Sequence, residues 1–322
     1  MPIPVVSDIS GNCGTGFDPA SIPSQQGKVF IVTGGHAGIG LATTRFLSSS
    51  GARVIIASRT QTKVDEAIKQ LVTEDASLSD RLSYVKLDLS SLKQVKAAAE
   101  EVVSKEGRLD GLVNNAGVMA APYELTEDGI ESQFQVNHLG HWLFTQKLMP
   151  LLEKTAETTG HPSRVINLSS FAHNFISAYP LASPSFTSLA DVNRTFEPTG
   201  WIRYSQAKLS AILFSRELNR RAETSGSKVR SLSVHPGFVR SDLYKHTSLS
   251  VLQRAFIGPE EGAYSSFYAA ASPEVEEKGI WGAYLVPFAK VKQTTKAGDD
   301  AKLATDLWDL CGRLVEEKVG GI

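Results

Sequence analysis

One stretch near the N-terminus constrains the fold of this chain more than any other, Val29-Phe-Ile-Val-Thr-Gly-Gly-His-Ala-Gly-Ile-Gly40. The apolar, β-branched run from Val29 to Val32 predicts a buried strand. Glycines at positions 34, 35, 38 and 40 follow it, and residues 41–47 have the pattern of a helix. A glycine turn between a strand and a helix is typical of a pyrophosphate site, because the free N–H groups and the positive dipole end of the helix face the anion. The stretch therefore favours a nucleotide-binding protein.

The rest of the chain alternates between predicted strands and predicted helices. Short apolar or β-branched runs are followed by segments whose apolar residues recur at helical spacing. This order predicts an α/β fold, a doubly wound parallel sheet with helices on both faces and ligands at the carboxyl ends of the strands. The predicted strands are 51–58, 82–87, 109–113, 164–168, 229–234 and 282–286, and the predicted helices are 64–72, 92–103, 126–153 with a break, and 204–222.

The chain of 322 residues is expected to form a single domain, 27–322, preceded by an N-terminal arm, 1–26, that is rich in Gly, Pro and Ser. Segments 171–203 and 241–260 are expected on the substrate side of that domain. The net charge of −1 and the pI of about 6.7 give no basic field for nucleic acid or anionic lipid. A homodimer is compatible with the sequence.

The distribution of cysteines and apolar residues bears on location. Cys13 and Cys311 lie at opposite ends of the chain, which is neither a disulfide framework nor a zinc pattern. The first 26 residues lack the charged and apolar regions of a secretory signal. No apolar run approaches the length of a membrane span. A cytoplasmic protein without a transmembrane segment is therefore expected.

Polar residues after the second and third predicted strands bear on the nucleotide. Arg59 follows the second strand, where an acidic residue would bind the ribose hydroxyls of NAD(H) and repel a 2′-phosphate. A guanidinium there favours NADP(H) over NAD(H), although a solvated surface arginine is the plain alternative. Asp88, which precedes Leu89 after the third strand, is a candidate for binding the adenine amino group, and a turn or cap role is the alternative.

Tyr204 and Lys208 are the candidates for chemistry. At spacing i, i+4 the phenol and the ammonium share one face of a helix. A phenol with a pKa near 10 is a poor base, but a cation within about 4–6 Å lowers that pKa by about 1–3 units. Taken alone, the pair is far more typical of a packing tyrosine beside a solvated lysine.

Together these motifs resemble the short-chain dehydrogenase/reductase family, over roughly residues 27–290. Within that family, the segments 136–141, 167–173 and 213–218 look most like retinol-dehydrogenase-like and fungal biosynthetic reductases. The motifs stand in family order: Thr33-Gly-Gly-His-Ala-Gly-Ile-Gly40, Asn114-Asn-Ala-Gly117, Asn137, Ser170, Tyr204-x-x-x-Lys208 and His235-Pro-Gly-Phe-Val-Arg-Ser-Asp242.

The resemblance implies a Rossmann fold and a family mechanism. Tyr204 would act as general acid or base, Lys208 would lower its pKa and hold the nicotinamide ribose, Ser170 would polarise the carbonyl, and Asn137 would anchor a water that relays protons. Ser169 is the less suitable of the two serines. The residues that the resemblance places at the cofactor are Gly34, His36, Gly38, Ile39, Gly40, Arg59, Asp88, Leu89, Asn115, Ala116, Gly117, Val136, Tyr204, Lys208, Pro236, Gly237, Val239 and Ser241.

Two departures from the family pattern concern the substrate side. Ser170 and Tyr204 stand 34 positions apart, farther than is usual in the family, so an insertion at about 172–200 must loop out and return. Arg240-Ser241 stands where many members have threonine, which makes Ser241 the candidate for the nicotinamide or phosphate contact. Aromatic and apolar residues are predicted to line an apolar cleft, or to pack in the core: Phe171, Phe175, Tyr179, Phe186, Phe196, Trp201, Leu243, Tyr244, Leu249, Leu252 and Phe256.

Three functions are compatible with this pattern. The first is an NADP(H)-dependent oxidoreductase acting on a lipophilic ketone, aldehyde or alcohol. The second is a non-redox enzyme of the same fold, such as an epimerase, dehydratase or cyclase of a biosynthetic pathway. The third is a catalytically silent nucleotide-binding partner, which the complete set of Ser170, Tyr204 and Lys208 disfavours. No metal site is predicted, because His138 and His141 have no carboxylate or cysteine pattern nearby and are better explained by helix packing.

Overall fold

The computed structural model describes residues 17–178, 183–196, 200–241 and 256–321. Eight strands form one sheet in the order β3-β2-β1-β4-β5-β6-β7-β8. Strands β1 to β7 are parallel, and β8 runs antiparallel to β7 at the edge. The doubly wound parallel sheet is therefore confirmed, whereas β8 was not predicted. The strands are β1 Val29–Thr33, β2 Arg53–Ser58, β3 Leu82–Lys86, β4 Gly111–Asn114, β5 Arg164–Leu168, β6 Arg230–Val234, β7 Tyr284–Val286 and β8 Lys290–Lys292.

Helices cover both faces of the sheet. The described helices are α1 Gly38–Ser49, α2 Gln61–Glu74, α3 Leu92–Lys105, α4 Ser132–Phe134, α5 Gly140–Thr159, α6 Asn174–Ala178, α7 Leu189–Val192, α8 Gly200–Ser225, α9 Pro259–Ala271, α10 Glu274–Glu277 and α11 Ala301–Val319. None of these is both long enough and apolar enough to cross a membrane.

The core consists of two layers that share the sheet. Within β1, Val29 and Ile31 point to the layer under α3, α5, α8 and α11, whereas Phe30 and Val32 point to the layer under α1 and α9. All five residues of β1 are buried, as expected for a central parallel strand with helices on both faces. Strands β1, β4 and β5 are parallel neighbours, so their carboxyl ends lie side by side at one edge of the sheet.

The helix predicted over 126–153 is wrong at its start. Residues 126–130 form a turn instead, closed by a hydrogen bond from Thr126 N to the Ile130 carbonyl oxygen at 2.9 Å. Helical structure begins at Ser132, passes through a π-helical segment, Gln135–Leu139, and continues in α5 to Thr159. The π-helical segment accounts for the predicted break. Helices α9 and α11 were not predicted.

Residues 17–26 of the predicted arm pack against the domain. Phe17 is buried, and its ring lies edge-on to Tyr268 at 5.4 Å and to Tyr264 at 6.1 Å. A short 3₁₀ helix, Pro19–Ser21, leads from there towards β1. This lead-in contributes apolar contacts to the layer under α1 and α9.

The insertion before α8 is fastened to the loop that precedes α4. The Glu131 N–H donates to Oδ1 of Asn193 at 2.8 Å, and Nδ2 of Asn193 donates to the Gly129 carbonyl oxygen at 2.9 Å. Nε of Arg203, at the start of α8, donates to Oε1 of Glu131 at 3.1 Å, and both side chains are buried. Arg203 also donates to the carbonyl oxygens of Thr195 and Ala121. The insertion thus contacts both Glu131 and Arg203, the two partners of a buried ion pair at the start of α8.

Candidate active site

The glycine turn runs from the end of β1 into α1. Gly34 and Gly38 adopt φ values of +65° and +53°, which favour glycine. A Cβ atom at position 40 would overlap the Gly34 carbonyl oxygen and lie 2.6 Å from Nδ2 of Asn115. Only glycine at position 40 lets the helix begin this close to the strand end.

Thr33 joins this turn to the loop after β4. Its Oγ1 accepts hydrogen bonds from the N–H groups of Asn115 and Ala116, both at 2.9 Å. Nδ2 of Asn115 in turn donates to the Thr33 carbonyl oxygen at 2.8 Å. The structure therefore brings the predicted residues Gly34, Asn115 and Ala116 together. Thr33 begins the glycine motif quoted from the sequence, but no role was predicted for it.

Two features of the turn fit an anionic nucleotide. No atom of the described residues lies within 4 Å of the place where a Cβ of Gly38 would stand. Nδ1 of His36 is buried and has no hydrogen-bond partner among the described residues. Burial and, secondarily, the ammonium of Lys63 lower the pKa of His36. A pyrophosphate at the N-terminus of α1 would meet free N–H groups there.

The region after β2 carries positive charge. Arg59 is exposed, and its guanidinium makes no hydrogen bond or ion pair with the described parts of the chain. Lys63 on α2 is exposed as well, and its ammonium contributes to the lowered pKa of His36 in the glycine turn. Lys63 was not among the predicted cofactor residues. Its position four residues after Arg59 is the feature of the sequence that could have identified it.

The predicted adenine contact has a structural role. Oδ1 of Asp88 accepts from the Ser90 N–H at 2.9 Å and from the Ser90 hydroxyl at 2.6 Å. Asp88 therefore has the turn role that was the alternative to adenine binding. These hydrogen bonds engage one of its two carboxylate oxygens. Leu89 beside it is buried, and its carbonyl oxygen faces Gly140 at the start of α5.

Asn137 and Lys208 converge on Gly117. Oδ1 of Asn137 accepts from the Val118 N–H at 2.8 Å, and its Nδ2 donates to the Val118 carbonyl oxygen at 2.9 Å. A Cβ at Gly117 would lie 2.7 Å from Oδ1 of Asn137 and 3.6 Å from Nζ of Lys208. The π-helical segment holds Asn137 and the half-buried Val136 at this point.

Tyr204 and Lys208 share one face of α8, as predicted from their spacing. Nζ of Lys208 lies 5.5 Å from the centroid of the Tyr204 ring and donates to the Leu168 carbonyl oxygen at 2.9 Å. Both side chains are buried, and Tyr204 is 7% exposed. Burial lowers the pKa of Lys208 to about 8. The alternative of a solvated lysine is therefore wrong, because the ammonium is buried beside the phenol.

Lys208 makes stability depend on pH. Its pKa of about 8 in the folded state lies below its ordinary value of 10.5, so the unfolded chain binds more protons between these values. The free energy of unfolding therefore rises with pH through that window. Compared with Lys208→Met, which has no such group, wild type should gain roughly 3 kcal/mol between pH 7.5 and 10.5. Urea unfolding of both proteins at several pH values measures this difference, and parallel stability curves would contradict it.

Ser169 and Ser170 differ in their hydrogen bonds. The Ser169 hydroxyl is buried and donates to the Lys208 carbonyl oxygen at 2.7 Å. Ser170 is half-buried, and its Oγ accepts from the Ala172 N–H at 3.1 Å, which leaves its proton for another acceptor. His173 holds the Ser170 carbonyl oxygen through its N–H at 3.1 Å and its Nδ1 at 2.7 Å. Ala172 packs in the same small apolar cluster as Tyr204.

The loop after β6 approaches the glycine turn through α9. A Cβ at Gly262 would lie 2.5 Å from Cγ2 of Val239 and 3.4 Å from Cγ1 of Ile39. The Gly237 N–H donates to Nδ1 of His235 at 3.3 Å and fixes the chain after Pro236. Ser241 is half-buried. Residues 242–255, which include the predicted Leu243, Tyr244, Leu249 and Leu252, lie outside the described residues, as does Tyr179.

A row of aromatic rings extends from Tyr204. The Trp201 ring lies edge-on to it at 6.1 Å, Phe175 follows at 6.4 Å, and Phe171 at a further 6.0 Å. Phe171 lies 6.5 Å from Phe238, a residue that the sequence analysis missed, and Phe238 lies 5.7 Å from Phe256.

Two of the predicted cleft residues belong to the core instead. Phe186 is fully buried and stacks on Phe134 at 6.3 Å, because the insertion folds back onto the helices. Phe196 is buried in the same apolar layer, 4.5 Å under the guanidinium of Arg194. Neither faces Tyr204.

The two histidines in and directly after the π-helical segment are both buried. Burial lowers the pKa of both His138 and His141 to about 3, so both are neutral. His138 lies against Cys311 of α11, with Nε2 and Sγ 3.4 Å apart. Among the described residues no group of three His, Cys, Asp or Glu side chains is arranged to hold a metal ion.

The sheet order and the glycine turn define a Rossmann fold, and comparisons with known proteins identify its family. The model of the short chain dehydrogenase family matches residues 28–180. Short chain dehydrogenase/reductase dpchH of Colletotrichum higginsianum is 38% identical over 96% of this chain and 80% of its own length. Retinol dehydrogenase 14 of Mus musculus is 38% identical over 92% of this chain and 87% of its own length. The chain belongs to the short-chain dehydrogenase/reductase family of oxidoreductases.

Solved structures agree with this assignment. An uncharacterized protein from Mycobacterium paratuberculosis is 32% identical and superposes with a TM-score of 0.72 over 94% of this chain and 98% of its own. The Pseudomonas aeruginosa RhlG/NADP active-site complex is 25% identical, with a TM-score of 0.62 over 82% of this chain and 95% of its own.

Proposed function

We propose that this chain is an NADP(H)-dependent oxidoreductase that interconverts a lipophilic ketone or aldehyde and the corresponding alcohol. The observation that carries the proposal is the buried pair on α8, with Nζ of Lys208 5.5 Å from the Tyr204 ring. Asn137 and Gly117 lie beside that ammonium, and Thr33 joins their loop to the glycine turn. A phenol, a cation and a nucleotide turn at one sheet edge are the parts that carbonyl reduction needs.

Each side chain has a defined task in this proposal. The nicotinamide, when bound, supplies the hydride. As negative charge grows on the carbonyl oxygen, Tyr204 donates its proton and Ser170 donates a hydrogen bond to the same oxygen. The Lys208 ammonium favours the phenolate and so eases that transfer. Asn137 holds a water that returns the proton to Tyr204 from solvent. In oxidation of an alcohol the same groups act in reverse.

The preference for NADP(H) rests on Arg59 and Lys63. Both are exposed cations after β2, and a guanidinium and a 2′-phosphate form charge-assisted hydrogen bonds. Oδ1 of Asp88, the nearest predicted acidic group, is already engaged by Ser90. The neighbour RhlG, which is bound to NADP in its structure, supports the same choice.

Arg59→Asp should shift the cofactor preference from NADP(H) towards NAD(H). The carboxylate repels a 2′-phosphate and accepts from ribose hydroxyls, so the Kd of NADPH should rise about tenfold or more and that of NADH should fall. Titration of both cofactors by fluorescence measures the shift. Lys69→Asp is the matched control, because it reverses the charge of an exposed side chain farther along the chain, on α2. Equal NADPH affinity in the Arg59 variant and in wild type would mean that Arg59 is a solvated surface residue that does not bind the cofactor.

A lipophilic substrate fits the aromatic row next to Tyr204. Trp201, Phe175 and Phe171 offer apolar rings within one, two and three ring contacts of the phenol. Phe175 is 39% exposed and continues the apolar surface of the neighbouring rings. A small-molecule carbonyl or alcohol placed there would bury this surface.

The activity itself is tested by following NADPH absorbance with a panel of lipophilic ketones and aldehydes, and NADP⁺ reduction with the matching alcohols. Cofactor oxidation or reduction that requires the protein supports the proposal. No change in either direction, with cofactor binding intact, would favour the non-redox alternative of an epimerase, dehydratase or cyclase.

A further inference from the structure

A buried histidine connects the glycine turn with the asparagine of the proposed proton relay. His141 lies in the first turn of α5 and is 2% exposed. Its Nε2 is 2.8 Å from Oγ1 of Thr33, and its Nδ1 is 3.4 Å from the Asn137 carbonyl oxygen. One imidazole therefore contacts β1 and the π-helical segment at the same time.

The hydrogen bonds around Thr33 fix the direction of this contact. The Thr33 oxygen accepts from the N–H groups of Asn115 and Ala116, which uses both of its lone pairs. Its single proton must then be donated, either to the Val113 carbonyl oxygen at 3.4 Å or to Nε2 of His141 at 2.8 Å. The shorter, well-formed bond is the one to His141.

The proton of the imidazole follows from this direction. Because Nε2 accepts, the neutral ring carries its hydrogen on Nδ1. Nδ1 faces the Asn137 carbonyl oxygen, which can only accept. The chain of donors therefore runs from the loop after β4 through Thr33 and His141 to the backbone of Asn137.

Asn137 is the residue for which this support matters most. Its side chain is held by both backbone groups of Val118, and Lys208 lies across Gly117 from it. Its backbone is π-helical, a local geometry that is rare and found mainly at functional sites. The imidazole of His141 on α5 donates to the Asn137 carbonyl oxygen and so stabilises the π-helical geometry. The same ring accepts from Thr33 and so fixes the residue that begins the glycine turn.

We propose that His141 is a positioning residue that couples cofactor binding at the glycine turn to the placement of Asn137, through Thr33 Oγ1 on one side and the Asn137 carbonyl oxygen on the other. This inference rests on the proposed oxidoreductase function. Loss of the imidazole leaves the Thr33 hydroxyl with only the more distant Val113 carbonyl oxygen as acceptor, and the π-helical segment without its donor.

The test compares three variants with wild type. His141→Leu removes both hydrogen bonds, whereas in His141→Gln the amide oxygen can accept from Thr33 and the amide nitrogen can donate towards Asn137. His138→Leu is the matched control, since His138 is equally buried and neutral but contacts Cys311, Phe134 and Phe214 instead. NADPH affinity is measured by titration, kcat and KM by steady-state kinetics, and stability by urea unfolding.

We expect His141→Leu to raise the Kd of NADPH and lower kcat, each about tenfold, because two buried hydrogen bonds are lost. His141→Gln should recover both to within about threefold. His138→Leu should lose comparable stability and keep wild-type Kd and kcat. Unchanged kinetics in His141→Leu, no recovery in His141→Gln, or equal kinetic losses in His138→Leu would each overturn the proposal.

A measurement without cofactor separates this inference from the proposed function. Nitrogen-15 NMR of histidine-labelled wild type should show His141 neutral at pH 6 with its proton on Nδ1. A proton on Nε2 would reverse the hydrogen bond to Thr33 and overturn the inference even in an active enzyme. If wild type bound no NADPH, the proposed function would fail on its own, whatever the NMR result.

Discussion

Tyr204→Phe should lower kcat about 10³-fold while the Kd of NADPH changes by less than about threefold. The substitution removes only the hydroxyl, so the ring keeps its contacts with Trp201, Met119 and Ala172. Proton donation to the carbonyl oxygen is lost, whereas the glycine turn and Lys208 remain. A large loss in kcat with intact cofactor binding is the signature of a group that acts in the transition state.

The measurement pairs steady-state kinetics with a binding titration on the same protein samples. Tyr268→Phe is the matched control, because it also removes one hydroxyl from a buried tyrosine and costs the hydrogen bond to Oε2 of Glu274 at 2.9 Å. That control should retain wild-type kcat. A Tyr204→Phe enzyme with more than about a tenth of wild-type kcat would remove Tyr204 from the chemistry.

Glu131→Ala should lower the free energy of unfolding by about 3–5 kcal/mol. Glu131 and Arg203 are 1% and 3% exposed in their side chains, and loss of the carboxylate leaves a buried guanidinium without its counter-ion. The same change removes the cap that accepts from the Phe134 N–H at 2.8 Å, ahead of the π-helical segment. Burial raises the pKa of Glu131, whereas the hydrogen bonds from the Phe134 and Gln133 N–H groups and the charge of Arg203 act to lower it.

Urea unfolding measures this loss. Glu101→Ala is the control, because Glu101 pairs with Lys105 on an exposed helix face and should contribute about 0.5 kcal/mol or less. The double variant Glu131→Gln with Arg203→Met should lose less stability than the sum of the two single variants, since both charges leave together. A loss below about 1 kcal/mol in Glu131→Ala would mean that water reaches Arg203.

Local signals explain which features the sequence predicted. The glycine turn is formed by residues that are close together in the chain, so the glycines that let the backbone bend can be recognised directly in the sequence. Tyr204 and Lys208 stand about one helical turn apart, so helix geometry alone predicts that the two side chains are neighbours. Strand β1 has a near-continuous apolar run, because both faces of the sheet are covered.

Features that depend on distant contacts escaped prediction. Thr33 and His141 are far apart in the chain, and their bond exists only because the fold brings the first turn of α5 to the end of β1. The effect of Lys63 on the pKa of His36 likewise joins residues of two different segments. Phe186 and Phe171 are both phenylalanines in the segment 171–203, but the insertion folds Phe186 into the core against Phe134. Residue type alone does not distinguish these outcomes.

A co-crystal structure of the full chain with NADP⁺ tests the central claim most directly. The account predicts the pyrophosphate against residues 34–40, the 2′-phosphate at Arg59, and the nicotinamide ribose on Tyr204 and Lys208. Oη of Tyr204 should then stand with Ser170 around one point next to nicotinamide C4, about 3–3.5 Å from the reacting atom. A dinucleotide bound elsewhere, or a nicotinamide ring turned away from Tyr204, would contradict the account.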